Sequence, residues 1–298
     1  MTDIFKTLLF HIARRSGFSS KSGLYEGKMG IAILLYHGAK FLNSEELEQV
    51  ANYLIDDIID ERERFLTVGF KNGLSGIAWS FNHLRENNFV ELEPDFFDDI
   101  DDILLQDIDS LKQNKYEYPW WGIYLHARSN SNISNWGDLA FDYIRSVEDF
   151  MELYKNNYLP IMPFLYCLWQ WHEKGYKFVD DALCNIQPKL AEIIKEPTNN
   201  SYVLHWLCSK LSGTQLDFPF EFNFDSLKTT FFYKLLFNNL PFPSMSSLNQ
   251  VFDSLVVNQK LHEEFLYLCN HNNIGLTQNI SGFTWSLLQY LKEKCDYR

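Results

Sequence analysis

GLYEGKMGIAI, residues 23–33, returns 46 residues later as GFKNGLSGIAW, residues 69–79. Gly23, Gly27 and Gly30 align with Gly69, Gly73 and Gly76, an Ile-Ala pair follows each third glycine, and His37 and His83 stand seven residues beyond it. A period of this length marks a stack of similar supersecondary units, each of which buries its apolar face only against its neighbours. One period further on stands Gly122, in YPWWGIYLH, where the other glycines are gone but an aromatic and aliphatic run again follows. The pattern comes back in GLTQNISGFTW, residues 275–285, with Gly275 and Gly282 at the original spacing and Asn279 in place of the middle glycine.

Two kinds of helix alternate between these landmarks. The segment 44–60 places Leu47, Val50, Ala51, Leu54, Ile55, Ile58 and Ile59 at helical spacing with acids elsewhere, so it reads as an amphipathic helix with one wet face. Ser44 suits its N-cap, and Glu45 and Glu46 in the first turn suit the helix dipole. By contrast 31–36, 77–81, 161–169, 203–208 and 283–288 are apolar all round and must be buried. Seven outer and inner pairs result: 3–15 with 28–42, 45–64 with 74–87, 95–113 with 120–128, 136–155 with 160–174, 178–195 with 201–212, 225–238 with 245–257, and 259–271 with 280–294. No strand alternation competes, so the class is all-α. An open array needs atypical end repeats, whereas here the first and last units carry the glycine pattern. That favours closure, an α/α toroid of about seven helical hairpins with inner and outer shells, forming a single domain over residues 1–298.

Composition narrows the function. The chain has 298 residues, 26 Lys plus Arg against 39 Asp plus Glu, and a net charge of −13, which argues against a nucleic-acid surface or an acidic membrane face. Hydrophobic residues at 46% and aromatics at 16% are those of a folded chain. Cys167, Cys184, Cys208, Cys269 and Cys295 form an odd set without paired spacing, and the N-terminus shows no cleavable apolar segment, so a reducing cytoplasm is expected. The longest uncharged stretch, 156–171, is shorter than the ~20 residues of a spanning helix and holds Pro160 and Pro163. No membrane span is expected.

GLYEGKMGIAILLYH, GLSGIAW and NIGLTQNISGFTWSLL resemble the lanthionine synthetase C-like proteins, above all the shorter bacterial members found beside dehydratases and other peptide-modifying enzymes. The resemblance covers 23–88 and 274–291. It implies an α/α toroid of seven inner and seven outer helices, and a role in maturing ribosomally made peptides, with a precursor peptide or a modifying enzyme as partner. Family cyclases hold a catalytic zinc with two cysteines and a histidine on Trp-Cys-x-Gly and Cys-His-Gly turns, and neither string occurs here. The family's Ala-His-Gly motif is met by Glu26, Asn72 and Gln278 at the corresponding places, so no catalytic histidine carries over. The implied reading is a zinc-site-deficient member that holds a peptide or enzyme without a cofactor. The alternatives are an active cyclase with rearranged ligands drawn from Cys208, Cys269 and His271, or a toroid enzyme acting on sugars with paired carboxylates.

Several residues stand out as site candidates. Three glycines within eight residues before a buried helix either allow positive φ and close backbone approach, or leave helix N–H groups aimed at the ring mouth to hold a carbonyl or carboxylate. Glu26 and Asn72 sit in those turns. Trp120, Trp121 and His126 either fill a core or floor a cavity by stacking on a ligand. His205 and Cys208, three residues apart, share a helix face as packed core residues or as weak zinc candidates. His262 and Glu263 begin a metalloprotease-like helix, but Leu266 stands where the second histidine is needed. From Glu86 to Asp109 there are ten acids and no Lys or Arg, either a solvated outer face or a dock for a basic partner.

Overall fold

The computed structural model describes residues 2–17, 19, 21–61, 67–129, 133–195, 202–214, 230, 232–237, 240–241, 248–252 and 280–296. Among the described residues there is helix and no strand. In chain order the helices are α1 (Thr2–Ser16), α2 (Lys28–Leu42), α3 (Glu45–Asp60), α4 (Leu74–Glu86), α5 (Asp98–Gln106), α6 (Ile108–Gln113) and α7 (Tyr118–Ser129). They continue as α8 (Ile133–Arg145), α9 (Val147–Leu153), a 3-10 turn (Leu159–Ile161), α10 (Met162–Glu173), α11 (Phe178–Lys195), α12 (Tyr202–Ser212) and α13 (Ile280–Asp296). Residues 232–236 and 248–252 are also helical.

The chain forms two compact units, one from residues 1–106 with 221–298 and one from 107–220. In the first, α2 packs on α1, α3, α4 and α13, and α1 also packs on α3 and α13. The last helix, α13, is therefore a neighbour of the first two. Helix α2 is buried from Lys28 to Ala39, whereas α3 buries only Leu47, Ala51, Leu54, Ile55 and Ile58. That single stripe, at about 1.5–3 kcal/mol for each fully buried Leu or Ile, is what holds a short amphipathic helix on its neighbours. Ser44 caps α3 by accepting the Leu47 amide, and Asn43 turns the chain through a left-handed residue at φ 51°.

In the second unit α7 packs on α8 and α10, α10 on α11 and α12, and α11 on α8, α9 and α12. The apolar runs 161–169 and 203–208 are buried throughout, as their all-round hydrophobicity requires. Two expected outer helices are broken in two. The stretch 95–113 divides at Asp107 and 136–155 at Ser146, whose hydroxyl donates to the Tyr143 carbonyl at 2.7 Å. At Ser146 the short polar side chain hydrogen-bonds back to the helix backbone while the apolar period runs on, so periodicity alone does not reveal the break. The expected helix 120–128 begins earlier, at Tyr118, because Asn114 caps the preceding turn: its Oδ1 accepts the amides of Tyr116 and Glu117, and its carbonyl that of Tyr118. The expected helix 259–271, half of 225–238 and most of 245–257 lie outside the described residues.

Candidate functional site

The glycine turns form two copies of one loop. In the first, the Lys28 amide donates to the Lys21 carbonyl at 2.8 Å and the Met29 amide to that of Ser22 at 3.2 Å. In the second, the Leu74 amide donates to the Thr67 carbonyl at 2.9 Å, the same bond one period later. A Cβ on Gly27 would meet the Lys21 carbonyl oxygen at 2.7 Å, and one on Gly73 would meet that of Thr67 at 2.6 Å. A Cβ on Gly76 would stand 1.7 Å from the Phe70 carbonyl oxygen. Positive φ is not the reason for these glycines: Gly27 and Gly73 are extended at φ −129° and −122°. They are required because backbone passes where a side chain would begin. The amides of Lys28, Met29 and Leu74, at the starts of α2 and α4, are already spent on loop carbonyls. Gly30 and Gly69 are buried within the same two loops and helices, Gly282 lies in α13, and Gly275 lies outside the described residues.

The two loops also grip each other at equivalent positions. The Tyr25 amide donates to the Lys71 carbonyl at 2.9 Å, and the Glu26 amide to Asn72 Oδ1 at 3.2 Å. A Cβ on Gly23 would fall 2.4 Å from the Asn72 Cα. The Glu26 carboxylate turns outward to an exposed ion pair with Lys21. Beneath the first loop, buried Lys28 sits 2.6 Å from Asp57 and 3.3 Å from Glu61, and Glu61 also accepts the Ser22 hydroxyl at 2.7 Å. Burial alone would lower the Lys28 pKa, but the two carboxylates outweigh it and hold the ammonium above its ordinary value.

Trp120, Trp121, His126 and His205 belong to the second unit, on α7 and α12, and so are not gathered with Glu26 and Asn72 within one unit. Trp121 is fully buried, stacked on Tyr118 with ring centres 5.9 Å apart. Trp120 and His205 are buried as well. His126 lies edge-on to Tyr166 and Trp171, and burial followed by the charge of Lys174 pushes its pKa down to about 3. Its Nδ1 is buried without a hydrogen-bond partner, as are the indole nitrogens of Trp121 and Trp169. Gly122 has a packing role here: a Cβ would strike the Tyr143 ring at 2.1 Å, and that tyrosine donates to the Pro119 carbonyl at 2.6 Å.

A catalytic zinc needs three convergent protein ligands and an open position. Cys208 is fully buried on α12, and burial raises its thiol pKa to about 12, the opposite of an activated or ligating thiolate. No group of three or more His, Cys, Asp or Glu side chains able to hold a metal occurs among the described residues. Those residues do not fit a zinc centre, while Cys269 and His271 lie outside them.

The sequence does flag one cluster without reading its chemistry. His37 and His83, equivalent in the two repeats, meet with their Nε2 atoms 3.1 Å apart, and Lys292 of α13 comes to 3.3 Å from His37 Nδ1. The lysine has no sequence signal tying it to residues so far away in the chain. No helix among the described residues is long and apolar enough to cross a membrane.

The profile of the family described as lanthionine synthetase C-like protein matches residues 14–122, a stretch that contains both complete glycine loops and α2, α3 and α4. No curated protein and no solved structure matches the chain.

Proposed function

We propose that this chain, lanthionine synthetase C-like over residues 14–122, is a component of ribosomal peptide maturation that holds a precursor peptide or its modifying enzyme and does not itself perform zinc-dependent thioether closure. One observation carries the reading: the family match falls on the doubled glycine loop, while the family's ligand strings Trp-Cys-x-Gly and Cys-His-Gly are missing from the whole sequence. Without a thiolate-binding metal, a peptide cysteine keeps a pKa of about 8.5 and stays mostly protonated at neutral pH. The burial of Cys208 supports this, since a thiol held in apolar surroundings gains little from deprotonation.

Metal analysis of the purified full chain tests the zinc-free half of the proposal. Less than about a tenth of an equivalent of zinc is expected after exposure to a stoichiometric amount and desalting. About one zinc per chain, lost in Cys208→Ala or Cys269→Ala, overturns it and restores a cyclase with rearranged ligands. The binding half is read by fluorescence anisotropy with a synthetic peptide containing dehydroalanine and cysteine, for which saturable binding is expected.

A further inference from the structure

The contact between His37, His83 and Lys292 has a direction fixed by chemistry. An ammonium only donates, so His37 Nδ1 accepts from Lys292 and the proton of the neutral His37 ring sits on Nε2. That N–H then donates to His83 Nε2, which must be bare, leaving the His83 proton on Nδ1. The 5.4 Å between the ring centres is the 3.1 Å contact plus one ring radius at each end, so the rings meet head on.

We infer that Lys292, His37 and His83 form an acid-labile clasp that ties the last helix, α13, to α2 and α4. The clasp exists only while both imidazoles are neutral. A second proton on His83 would place two N–H groups head to head and remove the acceptor. Aromatic walls leave the charge little room to be solvated: Trp79 stacks on His83 at 5.3 Å, while Trp285 and Phe89 stand edge-on to His37 at 5.3 and 4.9 Å.

The charges that act on the two histidines are cationic and oppose protonation, while the nearby carboxylates are engaged elsewhere. Lys292 of α13 and Lys40 of α2 bear on His37, and Lys292 bears on His83. On α4, Arg85 and Glu86 are engaged with Asn82. On α3, Glu48 and Asp56 act on Tyr36, and on α13 Glu293 acts on Lys234. Burial first and Lys292 second bring the His83 pKa down to about 4, and burial holds His37 well below its ordinary range. Both groups are depressed on folding, so their stabilising effect is complete above the unfolded value of 6.5 and is lost as pH falls toward about 4.

Two measurements test the clasp. Two-bond proton–nitrogen NMR spectra of the full chain at neutral pH are expected to show His37 protonated on Nε2 and His83 on Nδ1, with His83 titrating near pH 4 and His37 well below its ordinary range. The reverse tautomers, or a midpoint between 6 and 7 for either ring, overturn the proposal. Melting temperatures are compared between about pH 8 and 5.5, above the isoelectric point of about 5.0. The wild-type chain is expected to lose about 3 °C more than His83→Gln, whose amide oxygen still accepts but does not titrate. Equal losses overturn the proposal, and the NMR result on the unaltered chain stands if the variant does not fold.

Discussion

The two units solve one packing problem in different ways. Around residues 21–37 and 67–83, backbone packs on backbone: loop carbonyls take the first amides of α2 and α4, and glycines keep the space clear. Between residues 107 and 220, large side chains do the packing. Tyr118, Trp121, Tyr143 and Phe164 interlock, with Tyr143 and Phe164 stacked at 4.1 Å, and Gly122 admits the tyrosine ring. The glycine signature fades along the sequence because the contact it serves is replaced by aromatic side-chain contacts. A helix hairpin tolerates either device, but only the first leaves a repeating string.

Substitutions at the glycines separate the two devices most sharply. Gly76→Val is expected to be the most damaging, costing about 4 kcal/mol or more, since rigid backbone cannot yield to a Cβ at 1.7 Å. Thermal or urea unfolding reads the loss, and a melting point within about 2 °C of the parent would remove the close-approach explanation. Gly122→Ala is expected to cost less, about 2–3 kcal/mol, because a side chain is displaced and not a backbone. Combined with Tyr143→Ala, its cost should shrink in a double-mutant cycle, whereas strict additivity would show that the tyrosine ring is not what the glycine accommodates.

Charges beneath and upon the first loop come next. Lys28→Met is expected to destabilise by about 1–2 kcal/mol, because it leaves Asp57 and Glu61 near each other without their buried cation. Its pKa is raised on folding, so the contribution is present below the unfolded value of 10.5 and disappears as pH rises through the higher folded one. The gap between parent and variant should therefore close in strong alkali. Glu26→Ala removes only an exposed ion pair and is expected to stay within about 0.5 kcal/mol. A large loss there would mean that the carboxylate, and not the Glu26 amide, joins the loops.

Much of the fold is written locally and was legible for that reason. The 46-residue period and the all-apolar runs of α2, α4, α10 and α12 place those helices within a residue or two, while the amphipathic stripe of α3 gives its start but overruns its end at Asp60 by four residues. The interruptions at Asp107 and Ser146 escaped, because one polar residue does not disturb an apolar period. Glycine type also misleads on its own: the same residue serves positive φ and close approach, and only coordinates distinguish them. At the candidate site, the sequence identifies Glu26, Asn72, His37 and His83 as recurring positions. It cannot bring Lys292 to His37, since nothing in either neighbourhood encodes a contact between opposite parts of the chain. Trp120, Trp121 and His126 read from sequence more readily as core than as a cavity floor, and their burial in α7 agrees with the core alternative.

The functional proposal turns on whether the chain closes a thioether, and that is measured directly. Closure adds a cysteine thiol across a dehydroalanine without changing peptide mass, so the peptide is incubated with purified protein and zinc, then alkylated and weighed by mass spectrometry. Full alkylation of the cysteine, at the level of a protein-free control, is the predicted result. Loss of the alkylatable thiol with time, dependent on protein and abolished by a chelator, would contradict the proposal and identify a zinc-dependent cyclase.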